Sequence, residues 1–153
     1  MKNKLSVVIP FYFSNNTKIN KDDNFSLKAF KKCLSAVYKS SYKNFEVIAV
    51  SDGSSTESIR LVKEYPCKLI KIKKNSGAGF ARNLGAKKSK GNILIFLDAD
   101  VEIKPNAFKI VNDYFNRKKN YGMIQGIYSN KVNYKSKTNE YLQCYYCYYI
   151  FTE

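Results

Sequence analysis

Short apolar runs alternate with stretches of helical periodicity along this chain, and few folds accept that alternation. Leu5-Ser6-Val7-Val8-Ile9 is an apolar run closed by Pro10, which reads as a buried strand. Leu27, Phe30, Leu34 and Val37 recur at helical spacing, giving an amphipathic helix over about residues 25–40 after an exposed polar loop at 14–24. A second strand follows at 45–50, a turn at 51–55 and a short helix at 56–64. Residues 68–73 alternate apolar and basic side chains, the pattern of a strand with one wet face. A glycine-started helix runs over 77–90 until Gly91 breaks it, and 92–97 is the most hydrophobic strand. A last helix covers 106–117, and 122–128 looks β-like. This order predicts an α/β fold, a mostly parallel, doubly wound sheet with helices on both faces. Such sheets bind ligands beyond the carboxyl ends of their strands. Three polar clusters fall there: Pro10-Phe11-Tyr12, Ser51 to Ser55, and Asp98-Ala99-Asp100.

Bulk composition removes some classes and leaves others open. A chain of 153 residues with 44% hydrophobic and 15% aromatic residues suits one globular domain rather than a disordered segment. No stretch approaches the roughly 20 consecutive apolar residues that cross a bilayer. The apolar run before Pro10 is too short for a signal-peptide core, so Met1 is expected to be a cytoplasmic N-terminus. Cys33 and Cys67 sit within apolar patterns and read as buried free thiols. Cys144 and Cys147 form a CxxC without a second ligand pair in a chain that has no histidine, so helical spacing is expected rather than zinc. The net charge, 27 − 12 = +15, fits nucleic acid, an anionic membrane surface or a phosphorylated substrate, and does not choose among them.

The clusters carry more. Asp98 and Asp100 are two apart at a strand end, and if the strand continues both carboxylates face one small volume. Paired carboxylates repel unless a cation joins them, and their hard oxygens favour Mg²⁺ or Mn²⁺ with substrate phosphates completing the shell. The plain alternative is a helix cap and a solvated side chain. Asp52 and Gly53 offer an acceptor for a base or ribose and a backbone free to adopt positive φ, or else a simple strand-to-helix turn with an N-cap. Gly77 and Gly79 leave backbone N–H groups open at a helix start, a natural anion site, with Arg82 placed to reach a diphosphate. A solvated helix terminus explains the same residues.

Taken together, SVVIPFY at 6–12, VSDGSS at 50–55, NSGAGFARNLGAKKSKG at 75–91 and ILIFLDADVEIKPNA at 93–107 resemble the family 2 glycosyltransferases, in the family's order and spacing. The resemblance implies the Rossmann-like A-type fold and a UDP-sugar donor. By motif position, Pro10 and Tyr12 line the base pocket, Asp52 hydrogen-bonds the uracil, Gly53 adjoins it, and Asp98 meets the ribose or diphosphate. Asp100, with Asp98, binds the divalent metal, and Arg82 shares in stabilising the departing diphosphate. It also implies inverting transfer to a glycan or lipid-linked acceptor of the cell envelope, with a carboxylate as general base. Ser51 departs from the pattern, standing where many members carry an aspartate. The expected base is not found in this chain and is placed beyond residue 153, so residues 1–130 are expected to form the donor domain and 131–153 an aromatic helical tail toward an acceptor part. As it stands the chain is expected to bind donor and to transfer little. That tail suggests a homodimer contact or peripheral contact with the inner face of the membrane. A basic nucleic-acid-binding module and a non-catalytic sugar-nucleotide-binding domain are the alternatives. No nucleic-acid signature accompanies the charge, and no nucleic-acid partner is expected.

Overall fold

The structure, a computed structural model, describes residues 2–14, 21–117 and 122–126, with side chains from Ser26 onward in the first helix. The chain divides into two units, Met1–Arg117 and Lys118–Glu153, and the first carries every strand and helix among the described residues. The tail at 131–153, with Cys144 and Cys147, lies outside the described residues.

Four strands, β1 (Leu5–Phe11), β2 (Phe45–Asp52), β3 (Lys68–Ile72) and β4 (Ile93–Phe96), form one sheet in the order β3-β2-β1-β4. Every pairing is parallel. Helices α1 (Lys21–Tyr38), α2 (Thr56–Lys63), α3 (Ala78–Lys87) and α4 (Ala107–Arg117) connect or follow them. The period of two along β1 divides the core. Leu5, Val7, Ile9 and Phe11 pack with Phe30, Leu34 and Val37 of α1, Val62 of α2 and Phe108 of α4. Val8 faces the other way and packs with Ile48, Val50 and Ala81 of α3. Helices therefore cover both faces, as the alternation predicts. β1 and β4 are adjacent although two strands intervene in sequence, so the strand order reverses between them, and ligand crevices open at such a point.

Several boundaries differ from the sequence reading for physical reasons. β1 does not stop at Pro10 but runs through it to Phe11. The β4 ladder ends at Val8↔Phe96, and Leu97 N–H donates to the Val8 carbonyl at 3.0 Å, so Val8 points its backbone groups toward β4. Two residues on, Pro10 turns its missing N–H to the same side, where no strand pairs it. α1 begins inside the stretch read as loop. Its sequence places Asp22 and Asp23 in the first turn, where acidic residues suit the helix dipole. β3 is an edge strand, exposed at Lys68 and Lys71 three residues apart, so its wet positions lie on both faces rather than one. Lysines along an unpaired edge oppose edge-to-edge association. The β-like reading of 122–128 is not met over 122–126, where no strand forms, and 127–128 lie outside the described residues.

α3 lies unusually close to the sheet because Gly85 has no side chain. A Cβ there would overlap Cγ1 of Val8 and come within 3.2 Å of Cγ2 of Val50. Cys33 and Cys67 are free thiols, Cys33 fully buried and Cys67 half-buried. No helix among the described residues is long and apolar enough to cross a membrane.

Candidate functional site

The carboxyl ends of β1, β2 and β4 meet the entrance of α3, and hydrogen bonds lace three of these segments into one floor. Ser54 Oγ donates to the Phe11 carbonyl at 2.9 Å and accepts from Phe13 N–H at 3.3 Å. Ser55 N–H donates to the Phe13 carbonyl at 2.8 Å. The turn after β2 thus fixes the chain leaving β1, and Tyr12, 52% exposed, projects from the part so fixed. Ser51, the departure from the family pattern, is buried and accepts from Ser54 N–H at 3.3 Å. The role of Ser54 is not legible in the sequence, where the serines read only as a turn.

Asp52 ends β2, nearly buried at 3% exposure. Its Oδ1 accepts from Ser76 N–H and its Oδ2 from Gly77 N–H, both at 2.8 Å. Neither plain sequence reading describes this. Ser55, not Asp52, caps α2, accepting from Ser58 N–H. Asp52 instead holds the chain just ahead of α3, at Ser76 and at the N-cap residue Gly77. Two further features fix the same junction. Gly53 N–H donates to the Ile72 carbonyl at 3.1 Å, and a Cβ on Gly53 would stand 2.9 Å from Asn75 N. Gly53 has φ +77°, so a side chain there is excluded twice, by conformation and by space.

This arrangement corrects the reading of Gly77 and Gly79 as a pair with open N–H groups. The Gly77 N–H is taken by Asp52, and the φ of +92° that brings it there requires glycine. Gly79 differs: it is helical, and a Cβ on it meets nothing within 4 Å. The fold places no demand on that glycine.

Arg82, one turn into α3, donates from Nη2 to Asp98 Oδ1 at 2.7 Å, bridging the helix to the chain leaving β4. Asp98 and Asp100 are both exposed. They do not lie in a continuing strand, because β4 stops at Phe96 and Val101 N–H closes a turn onto the Asp98 carbonyl at 3.1 Å. Strand alternation therefore does not apply to this pair, and the two residues share the turn at 98–101 instead. Buried Cys33 of α1 lies behind it and donates Sγ–H to the Asp98 carbonyl at 3.5 Å. Burial pushes the Cys33 thiol up to about 12, and the carboxylates of Asp100, Asp98 and Glu102 push the same way. A neutral thiol is therefore the support beneath this acidic turn.

Of the sequence-chosen residues, the structure pairs Arg82 with Asp98, keeps Asp100 in the same turn, and puts Tyr12, Asp52 and Gly53 at neighbouring strand ends. Pro10 is buried within β1, level with Val50, rather than on the open edge. Among the described residues no group of three or more ligand-type side chains could hold a metal ion alone. Two exposed carboxylates with hard oxygens fit a partial shell, of the kind completed by phosphate oxygens and water around Mg²⁺.

The chain matches the family described as Glycosyl transferase family 2 over residues 6–151. It is 32% identical over 111 residues to the uncharacterized glycosyltransferase YibD of Escherichia coli, an overlap covering 70% of this chain and 29% of that protein. It is 28% identical over 133 residues to the teichoic acid poly(glycerol phosphate) polymerase of Staphylococcus epidermidis, covering 83% of this chain and 16% of that one. Among solved structures, S. aureus TarS 1-349 superposes with a TM-score of 0.63 at 25% identity over 74% of this chain and 32% of that one. The mannosyltransferase PcManGT of Pyrobaculum calidifontis, solved with GDP-Man and Mn²⁺, gives 0.57 at 18% identity with the same coverage, a likeness of fold alone. The chain thus spans less than a third of the length of each of these four proteins.

Proposed function

The chain belongs to glycosyl transferase family 2, and from that premise we propose that it forms the donor-binding part of an enzyme that moves a sugar from a UDP-sugar to a glycan or lipid-linked acceptor of the cell envelope. The observation that carries the reading is the ion pair of Arg82 with Asp98 in the turn after β4, a turn that also contains Asp100. Cationic and anionic groups stand together there at an edge open to solvent, as a metal-bound diphosphate requires. Tyr12, exposed above the laced floor, offers a ring for the base to stack on. Asp52 holds the 75–77 segment in place and retains lone pairs beyond the two it uses for Ser76 and Gly77, so it can still accept from a base N–H. Gly79 lets a phosphate approach the start of α3 without meeting a Cβ. Arg82 carries positive charge to the oxygens that become negative as the diphosphate departs. Asp98 and Asp100 would hold Mn²⁺ or Mg²⁺, which when bound would supply Lewis-acid neutralisation of the same charge.

Transfer proceeds with inversion in one displacement, with a carboxylate as general base. The polymerase named for teichoic acid supports an envelope acceptor. The +15 charge supports a site on the inner face of the membrane, near anionic lipid.

Calorimetry with UDP tests the reading. Heat is expected with Mn²⁺ present, little with EDTA, and none in an Asp98→Asn/Asp100→Asn double variant. A folded chain that takes up UDP equally well in EDTA and in the double variant contradicts the metal assignment. One that ignores UDP under all conditions contradicts the donor assignment.

A further inference from the structure

Resting on the donor-site reading, we propose that Arg82 is an exchangeable counterion that competes with the divalent cation for Asp98 until a diphosphate draws it away. The Arg82 guanidinium sits 2.7 Å from Asp98 Oδ1. Asp98 has two oxygens, and one N–H of the guanidinium occupies one of the positions from which a cation would be bound. The pair is accessible, with side chains 37% and 55% exposed, so the contact can be exchanged rather than being locked into the core. The backbone of Arg82 is fixed in place. Its helix is pinned to the sheet by Ala81 and Gly85, which are buried, while the long side chain reaches past them to the β4 turn.

The two equilibria then oppose each other. In the free protein Arg82 satisfies Asp98 and repels a second cation. Once a diphosphate arrives, its oxygens are a better partner for the guanidinium than a single exposed carboxylate, and Asp98 is released. The protein therefore takes up metal poorly by itself and well together with nucleotide. This differs from a role in which Arg82 simply holds the turn in shape, for then its loss weakens metal and nucleotide alike.

The test uses the full 153-residue chain and an Arg82→Gln variant, with Mn²⁺ affinity read from the electron paramagnetic resonance of the free ion and UDP affinity read by calorimetry. Without nucleotide, Arg82→Gln is expected to bind Mn²⁺ about two- to fivefold more tightly than the parent, the range corresponding to loss of an exposed ion pair. In the presence of Mn²⁺ the same variant is expected to bind UDP about tenfold or more weakly, as loss of a charge-assisted contact predicts. Adding Asp98→Asn to the variant should abolish the gain in Mn²⁺ affinity. Arg82→Lys, which keeps the charge but loses the fork, should fall between parent and Arg82→Gln. Mn²⁺ affinity that is unchanged or weaker in folded Arg82→Gln overturns the competition while leaving UDP binding by the parent chain intact. If the parent binds no UDP with Mn²⁺, the donor assignment falls and this inference falls with it.

Discussion

Replacing Asp52 with asparagine tests whether this one side chain holds the entrance of α3. The carboxylate receives two backbone N–H groups, each at 2.8 Å, and is 3% exposed. Asparagine has almost the same shape but only one acceptor oxygen. One amide keeps a neutral acceptor, and the other faces an NH₂ donor. Hydrogen bonds to charged groups contribute about 1.5–3 kcal/mol each. Ser76 and Gly77 are themselves exposed, so water recovers part of that loss. A destabilisation of about 2 kcal/mol is expected, which is large beside the 5–15 kcal/mol typical of a folded domain. Urea unfolding gives the global value, and hydrogen exchange gives the local one. The Ser76 and Gly77 amides should exchange at least about tenfold faster in the variant, while the β1 and β2 amides keep their relative protection. Equal exchange at Ser76 and Gly77 in a folded Asp52→Asn chain refutes the clamp.

Three further substitutions probe the surroundings. Gly85→Ala gains about 1 kcal/mol in helix propensity, yet its Cβ must displace Val8, so a net loss of about 1–2 kcal/mol is expected in denaturant unfolding, and adding Val8→Ala should recover part of it. A more stable Gly85→Ala single variant refutes the close approach. Gly79→Ala meets open space and should raise stability by about 0.5–1 kcal/mol while weakening UDP binding, and unaltered binding argues against phosphate approach at that residue. Glu46 is pushed up by partial burial, but hydrogen bonds from Ser6 Oγ and Lys90 N–H, with the charges of Lys4 and Lys90, bring it below the usual carboxylate range. With its folded value depressed, its stabilisation is present above the unfolded value near 4.5 and is lost as pH falls through the folded one. The stability gap between the parent and Glu46→Gln should therefore narrow from about pH 6 to about pH 3, and a gap of equal size at both ends refutes the assignment.

The local pattern of the chain was enough to define the layers. Apolar runs at β1, β2 and β4, helical spacing at α1 and the glycines around α3 dictate parallel strands covered on both faces, because backbone polar groups in an apolar run must pair and each apolar face must be buried. Polar clusters at strand ends likewise nominated the candidate site, since that edge is where side chains escape the core. What the sequence left undecided depends on partners distant along the chain. Pro10 continues β1 only because β4 has already ended beside it, which periodicity in β1 alone cannot reveal. Lys68 and Lys71 mark β3 as an edge only once the strand order is fixed. Asp52 reads as a base contact or a cap of the next helix. Tertiary packing turned it away from the cap of the next helix, which Ser55 supplies, to the segment before the helix after next, where it accepts from Ser76 and Gly77 N–H. The pairing of Arg82 with Asp98 is of the same kind: residue types and spacing nominated both, but only the close seating of α3 on β1 and β2, made possible by Gly85, brings guanidinium and carboxylate to hydrogen-bonding distance.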